Sequence, residues 1–175
     1  MERAINRLAI FSFFIIGGLG TLLHFVYDWS GQNALIGIFS AVNESTWEHL
    51  KLLYWPFVLF SIYEYFSVGK YINGFFYAKL KGLLAGFLSI IIIFYTYTGI
   101  LGFNIDFLNI TIYFISLLIA IVISRLSLYN RSISSGKNKT ALVLIIFIGL
   151  LFVLFTFYPP QINLFKDPIT NTYGI

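Results

Sequence analysis

A chain of 175 residues that is 59% hydrophobic, 20% aromatic and only 10% charged, with a mean hydropathy of +0.87, lies outside the soluble globular range and has lipid as its expected solvent. Its eleven Lys and Arg stand against seven Asp and Glu; the bases are scattered singly between apolar runs and form no basic stripe, which argues against a nucleic-acid partner. Cysteine is absent, which excludes a disulfide framework, a thiolate nucleophile and thiolate metal ligands, so any metal would be held by His, carboxylate or carbonyl groups.

Reading in chain order for runs able to cross about 30 Å of hydrocarbon, the first is Leu8–Val26. The preceding Met1-Glu2-Arg3-Ala4-Ile5-Asn6-Arg7 has the basic character of a signal peptide, but the run is long and no A-x-A-like site follows, so a retained helix is predicted. Gly17, Gly18 and Gly20 mark it for close helix contact. Residues 27–49 form the next connector, in which Ala34–Val42 is too short to cross and reads as an interfacial or re-entrant piece. Further spans are predicted at Leu50–Val68, Gly82–Leu101, Phe107–Ser124 and Ala141–Tyr158. Glu64 in the second span is expected to snorkel or to pair with Lys70. Gly82-x-x-x-Gly86 and Ser116-x-x-x-Ala120-x-x-x-Ser124 supply small-residue faces for contacts within the chain or in a homo-oligomer. Pro159-Pro160 ends the last helix. The tail 159–175 keeps apolar anchors at Phe165, Tyr173 and Ile175; it either folds back over the polar residues of the first connector, bringing Asp167 or Tyr173, or lies at the interface. The fold expected is an all-α integral membrane bundle of five transmembrane helices forming one domain over residues 1–175.

Orientation follows from the bases. If five spans alternate, Arg3, Arg7, Lys70, Lys79, Lys81, Arg125, Arg131, Lys137 and Lys139 fall on one side and only Lys51 and Lys166 on the other. The positive-inside rule then puts the N-terminus in the cytoplasm and the tail outside a multi-pass cell-membrane protein. The three tryptophans, Trp29, Trp47 and Trp55, sit near the outer boundary as an interfacial belt would.

The same assignment gathers Asp28, Glu44, Glu48, Asp106 and Asp167 outside with few bases to balance them. Carboxylates beside a low-dielectric slab must be solvated, protonated or paired with a cation. His24 with Asp28, and Glu44 with Glu48, are each four residues apart and can share a helix face. His24, Asp28, Glu44, Glu48 and His49 are therefore the candidate ligands of a divalent metal, a nitrogen and oxygen set with room for water. Glu44, Glu48 and His49 are also the candidate catalytic acids or bases, with Ser45, Lys51, Asp167 and Tyr173 as possible substrate contacts. A purely structural reading competes with this one. Ser45-Thr46-Trp47-Glu48 fits a capping box in which Ser45 and Glu48 satisfy each other's N–H groups, Asn43 could itself cap, and Lys51 would snorkel. No H-E-x-x-H, G-x-S-x-G or Walker loop is present.

The segment Asn43-Glu44-Ser45-Thr46-Trp47-Glu48-His49-Leu50-Lys51, preceded by His24 and followed by Pro159-Pro160 and by Phe165-Lys166-Asp167-Pro168 through Tyr173-Gly174-Ile175, resembles that of a family of small bacterial multi-pass membrane proteins, a domain of unknown function. The resemblance covers the whole chain and implies a membrane location. It carries no known activity and no catalytic assignments. From the residues alone, the expected molecule carries an outer polar pocket that binds a metal or other cation. The alternatives are a metal-assisted or acid–base hydrolase or transferase on a lipid or envelope substrate, and a small transporter or non-catalytic partner protein. Transport ranks lower because the spans offer few polar residues beyond Glu64 and Asn109.

Overall fold

The computed structural model describes residues 2–129 and 133–175, so Arg131 of the charge count lies outside the described residues. Within them the chain is an all-α bundle: α1 (Glu2–Trp29), α2 (Ala34–Gly37), α3 (Thr46–Ser67), α4 (Phe75–Leu101), α5 (Asp106–Leu128) and α6 (Ser135–Phe157), with 3-10 turns at Gly69–Tyr71 and Asn163–Phe165. Four of these, α1, α4, α5 and α6, are long and apolar enough to cross a membrane. With no water to satisfy their backbones, such runs close their own hydrogen bonds as helices.

α3 differs. It is 22 residues long and carries Glu48, Lys51, Pro56 and Glu64, yet the consecutive residues Leu50 to Tyr54 are all buried. A helix covered on every side at one level is the axis of the bundle, and α3 touches α1, α4 and α6. Its proline is accommodated by a neighbour. Pro56 has no N–H for the Leu52 carbonyl, and the Tyr113 hydroxyl of α5 donates to that oxygen at 3.4 Å and to the Ile16 carbonyl of α1 at 3.1 Å. Gly20 makes room for this: a Cβ there would lie 1.9 Å from the Tyr113 hydroxyl.

The two small-residue faces pack against each other inside the chain. A Cβ on Gly82 would meet the Ala120 carbonyl at 2.5 Å, and one on Gly86 would meet the Ala120 Cβ at 3.0 Å. The face offered for a homo-oligomer is thus spent on the α4–α5 contact, where close backbone approach gives dispersion its reward in lipid. Glu64 also departs from expectation. Its partner is Lys79, with Nζ 2.5 Å from Oε2 and both side chains buried, because α4 returns antiparallel along α3; Lys70 lies over the Tyr71 ring instead.

The helices alternate in direction, so connectors collect at two ends. At one end Arg125 Nε donates to Asn6 Oδ1 at 2.8 Å and Tyr77 N to Asn138 Oδ1 at 3.1 Å. At the other end the α1–α3 connector, the α4–α5 turn and the tail meet: Asn43 Nδ2 donates to the Gly174 carbonyl at 3.0 Å, and the Tyr95 hydroxyl to the Asn163 carbonyl at 3.3 Å. The expected interfacial piece Ala34–Val42 reduces to the four-residue α2, whose cap Asn33 accepts from Leu35 N at 2.9 Å. Beyond α2 the chain is bolted down by Ser40. Its hydroxyl accepts from Tyr27 N at 3.0 Å and donates to the Leu23 carbonyl, taking the place of one rung of α1.

Candidate functional site

The site is built by the first turn of α3. Ser45 caps it, its hydroxyl accepting from Glu48 N at 3.3 Å, and Asn43 Oδ1 accepts from Ser45 N at 2.9 Å. Only half of the expected capping box forms, because Asn43 takes the N–H that Glu48 would have reached. Glu48 turns inward instead. Its carboxylate accepts from Val42 N at 3.0 Å and pairs with Lys51 Nζ at 2.5 Å, the side chains 2% and 0% exposed. Lys51, expected to snorkel, also donates to the Gly37 carbonyl at 2.7 Å and to Thr156 Oγ1 at 2.9 Å. All three of its N–H groups are used. A buried ammonium needs that full complement, and the result clamps the connector, α3 and α6 together.

With Glu48 committed to Lys51, Glu44 is left facing two imidazoles. Glu44 Oε2 lies 3.4 Å from His49 Nε2 and 3.8 Å from His24 Nε2, and one donor atom from each residue lies within 4.8 Å of the others. The rings meet edge to face with centroids 5.3 Å apart. His49 Nδ1 lies 2.9 Å from the Ser45 carbonyl; a carbonyl only accepts, so Nδ1 carries a proton, and in its neutral form the ring would turn the Nε2 lone pair toward Glu44. A backbone carbonyl fixing the tautomer of a ligating imidazole is a recurrent feature of metal centres.

The remaining sequence candidates take other places. Asp28 is exposed one turn beyond His24 and is not among the three grouped donors. Asp167 is buried and folds the tail: it accepts from Ile169 N at 2.7 Å, from Thr170 N at 3.3 Å and from Glu44 N at 3.4 Å. Burial alone would raise its pKa, but these N–H donors outweigh that and hold the carboxyl below its ordinary value. Tyr173 forms an isolated antiparallel bridge with Lys166, which closes the tail as a loop. Trp47, half-buried, packs inward. It packs with centroids 4.6 Å from Phe152 and 4.7 Å from Phe165, joining α3, α6 and the tail behind the site.

The sequence reading expects a polar pocket here, but not its apolar walls or its Asn104 and Asn109 side. Beside the three donors lies a cavity of about 470 Å³, walled by residues of α1, α4 and α5, with His24, Glu44 and His49 on its lining together with Asn104, Asp106 and Asn109. Tyr97 orders the last group, its hydroxyl 2.8 Å from Asn104 Oδ1, and Asn109 Nδ2 donates to the same oxygen at 2.7 Å. The cluster of Asn and Asp between the third and fourth apolar runs was the available signal.

Residues 2–175 match a family of unknown function, DUF6512. The chain belongs to that family. No curated protein and no solved structure matches it. What this DUF6512 chain can do is therefore read from its geometry. Two imidazole nitrogens and one carboxylate oxygen form the donor set of many metal sites that keep a position open for water. In a tetrahedral site with ligands at about 2.0–2.1 Å, donors lie about 3.3 Å apart; the His49–Glu44 separation of 3.4 Å matches this, while the 3.8 Å between His24 and Glu44 would have to close on an ion.

Proposed function

We propose that this DUF6512 protein spans the membrane five times and binds a divalent metal ion through His24, Glu44 and His49 at its extracytoplasmic end. The observation that carries the reading is the convergence of two imidazole nitrogens and one carboxylate oxygen, contributed by α1, the connector and α3, within 4.8 Å at the mouth of a cavity. Glu48 and Asp28 stay outside the coordination shell in this version. Supporting a fifth span, α3 has 22 residues, about 33 Å of helix, and its interior charges are paired as Glu48–Lys51 and Glu64–Lys79. Supporting the orientation, leaving out the paired Lys51 and Lys79 sets Arg3, Arg7, Lys70, Lys81, Arg125, Lys137 and Lys139 against Lys166 alone among the described residues.

Elemental analysis of detergent-purified protein tests the metal. Near-stoichiometric metal in the wild type, lost in His24→Ala and Glu44→Ala and kept in Asp28→Ala, is the expected result; a metal-free wild type after growth and purification in zinc-supplemented, chelator-free medium sinks the reading. Reporter fusions at residue 175 test the orientation. A second reading, a metal-assisted hydrolase or transferase, is favoured by the cavity beside the three donors, which would leave room for a water that a metal held by His24, Glu44 and His49 would activate. Glu44 or His49 would then be a metal ligand and not the general base.

A further inference from the structure

The cavity beside the three donors has a shape that selects its occupant. Along α5 its lining runs from Asp106 to Phe114, eight residues or about 12 Å of helix, against about 15 Å for the hydrocarbon of one leaflet. At the deep end α1 touches α5: Cβ atoms on Gly17 and Gly20 would lie 2.8 Å from Phe114 and 1.9 Å from Tyr113. Between these ends the walls include Ile90, Phe94 and Ile112. The side is open. Phe25 of α1 and Ile110 of α5 both line the cavity and are 47% and 58% exposed, so protein does not close the wall between them. Below the rim the hydroxyls of Thr21 and Tyr113 are engaged by the Gly17 and Ile16 carbonyls; at the rim the His24–Glu44–His49 cluster faces Asn104 and Asn109. Asn104 accepts through Oδ1, which leaves its Nδ2 hydrogens for a ligand. Asp106 also lies there, in the first turn of α5, where the helix dipole offsets part of its charge.

We infer that the cavity seats one acyl chain of a membrane phospholipid, admitted sideways between α1 and α5, with its headgroup phosphate at the His24–Glu44–His49 cluster. Three features point to this occupant: a largely apolar slot of leaflet depth, a gap in the wall between α1 and α5, and unengaged polar groups at the rim. A volume of about 470 Å³ lies within the range of about 300–1,000 Å³ typical of small-molecule sites. The headgroup end rests on the metal reading, since a divalent ion held by one carboxylate and two neutral imidazoles keeps a net positive charge for a phosphate oxygen. The chain seat does not depend on it.

The probe is a phosphatidylglycerol with a diazirine midway along one acyl chain, added to phosphatidylglycerol proteoliposomes of the full chain. After photolysis, cross-links mapped by mass spectrometry should concentrate on Ile90, Phe94 and Ile112 over the perimeter residues Phe11, Phe14 and Ile146, which are exposed on the outside of the bundle. Thr21→Trp and Ile110→Trp, at exposed positions on the opening, should lower cavity labelling by about tenfold because they block the volume itself, with perimeter labelling and metal content unchanged. Labels spread evenly over the perimeter, or cavity labels that neither plug reduces, overturn the seat whatever the metal content. Cavity labelling of a metal-free wild type upholds the seat and removes the metal reading. For the headgroup, His24→Ala should weaken labelling by this probe and spare that by a diazirine-bearing fatty alcohol; equal labelling of wild type and variant by both probes overturns the phosphate placement.

Discussion

Replacing Lys51 with Met isolates the interaction on which the site's geometry rests. The substitution keeps length and apolar volume but removes the ammonium from a pair whose side chains are 0% and 2% exposed. Glu48 then has no counter-charge in a water-excluded position. Breaking a buried pair by removing one partner costs about 3–5 kcal/mol, and the abandoned Gly37 carbonyl adds its own desolvation. In the double variant Lys51→Met/Glu48→Gln no charge is left to strand, and Gln can still accept from Val42 N. Its cost should fall to about 1–3 kcal/mol, that of the unpaired carbonyl. The double variant is therefore expected to be more stable than the single one, the sign that separates ion-pair rescue from simple loss of contacts. Equilibrium unfolding in mixed micelles, followed by tryptophan fluorescence, gives both numbers. A single variant within about 1 kcal/mol of wild type, or a double variant no better than the single, refutes the clamp. Because Gly37 and Val42 flank the connector that carries Glu44, Lys51→Met should also weaken metal binding by about 10–100-fold, as supporting contacts of metal ligands typically do.

Other substitutions probe the remaining contacts. Gly82→Ala places a Cβ 2.5 Å from the Ala120 carbonyl and should destabilise the bundle by about 1–3 kcal/mol, whereas Gly99→Ala, with nothing within 4 Å, should be neutral or stabilise by up to about 1 kcal/mol; thermal unfolding in detergent compares them. Ser45→Ala removes the α3 cap and should cost about 1 kcal/mol, read by the same assay. Asp167 has its pKa lowered in the folded state, so its contribution is present above the unfolded value of about 3.9 and is lost as pH falls through the lower folded value. Hydrogen-exchange protection across residues 158–175, taken relative to the intrinsic rate at each pH, should accordingly fall below about pH 4 and be lower at neutral pH in Asp167→Ala.

Much of the fold was legible because lipid imposes one rule, internal satisfaction of the backbone, and long apolar runs obey it as helices. The four most apolar runs came through as α1, α4, α5 and α6. What pattern could not supply was partner choice. Glu64 met Lys79 and not Lys70 because antiparallel return brings together residues fifteen apart in sequence. The Gly82 and Ser116 faces were legible as contact surfaces, but only the packing shows that they meet each other within one chain. At the site, Glu44, His24 and His49 were visible as candidates. The separate fates of Glu44 and Glu48 were not, since their spacing treats them alike.

That separation is the physical core of the site. Of two carboxylates four residues apart, Glu48 is 2% exposed and needs a counter-charge, whereas Glu44 is 40% exposed and keeps contact with solvent. Lys51 balances one of them completely and is itself saturated by Gly37 and Thr156, so it has nothing left for Glu44. Asp167 offers Glu44 no charge relief either, being acidic and engaged with backbone N–H groups. What faces the Glu44 carboxylate is a pair of imidazoles. Neutral, they bring lone pairs and no charge; a single protonated ring would pair with Glu44, and two would repel each other across 5.3 Å. On the proposed reading a divalent cation would accept the lone pairs and offset the carboxylate, and the buried Lys51–Glu48 pair is what leaves Glu44 available to hold it.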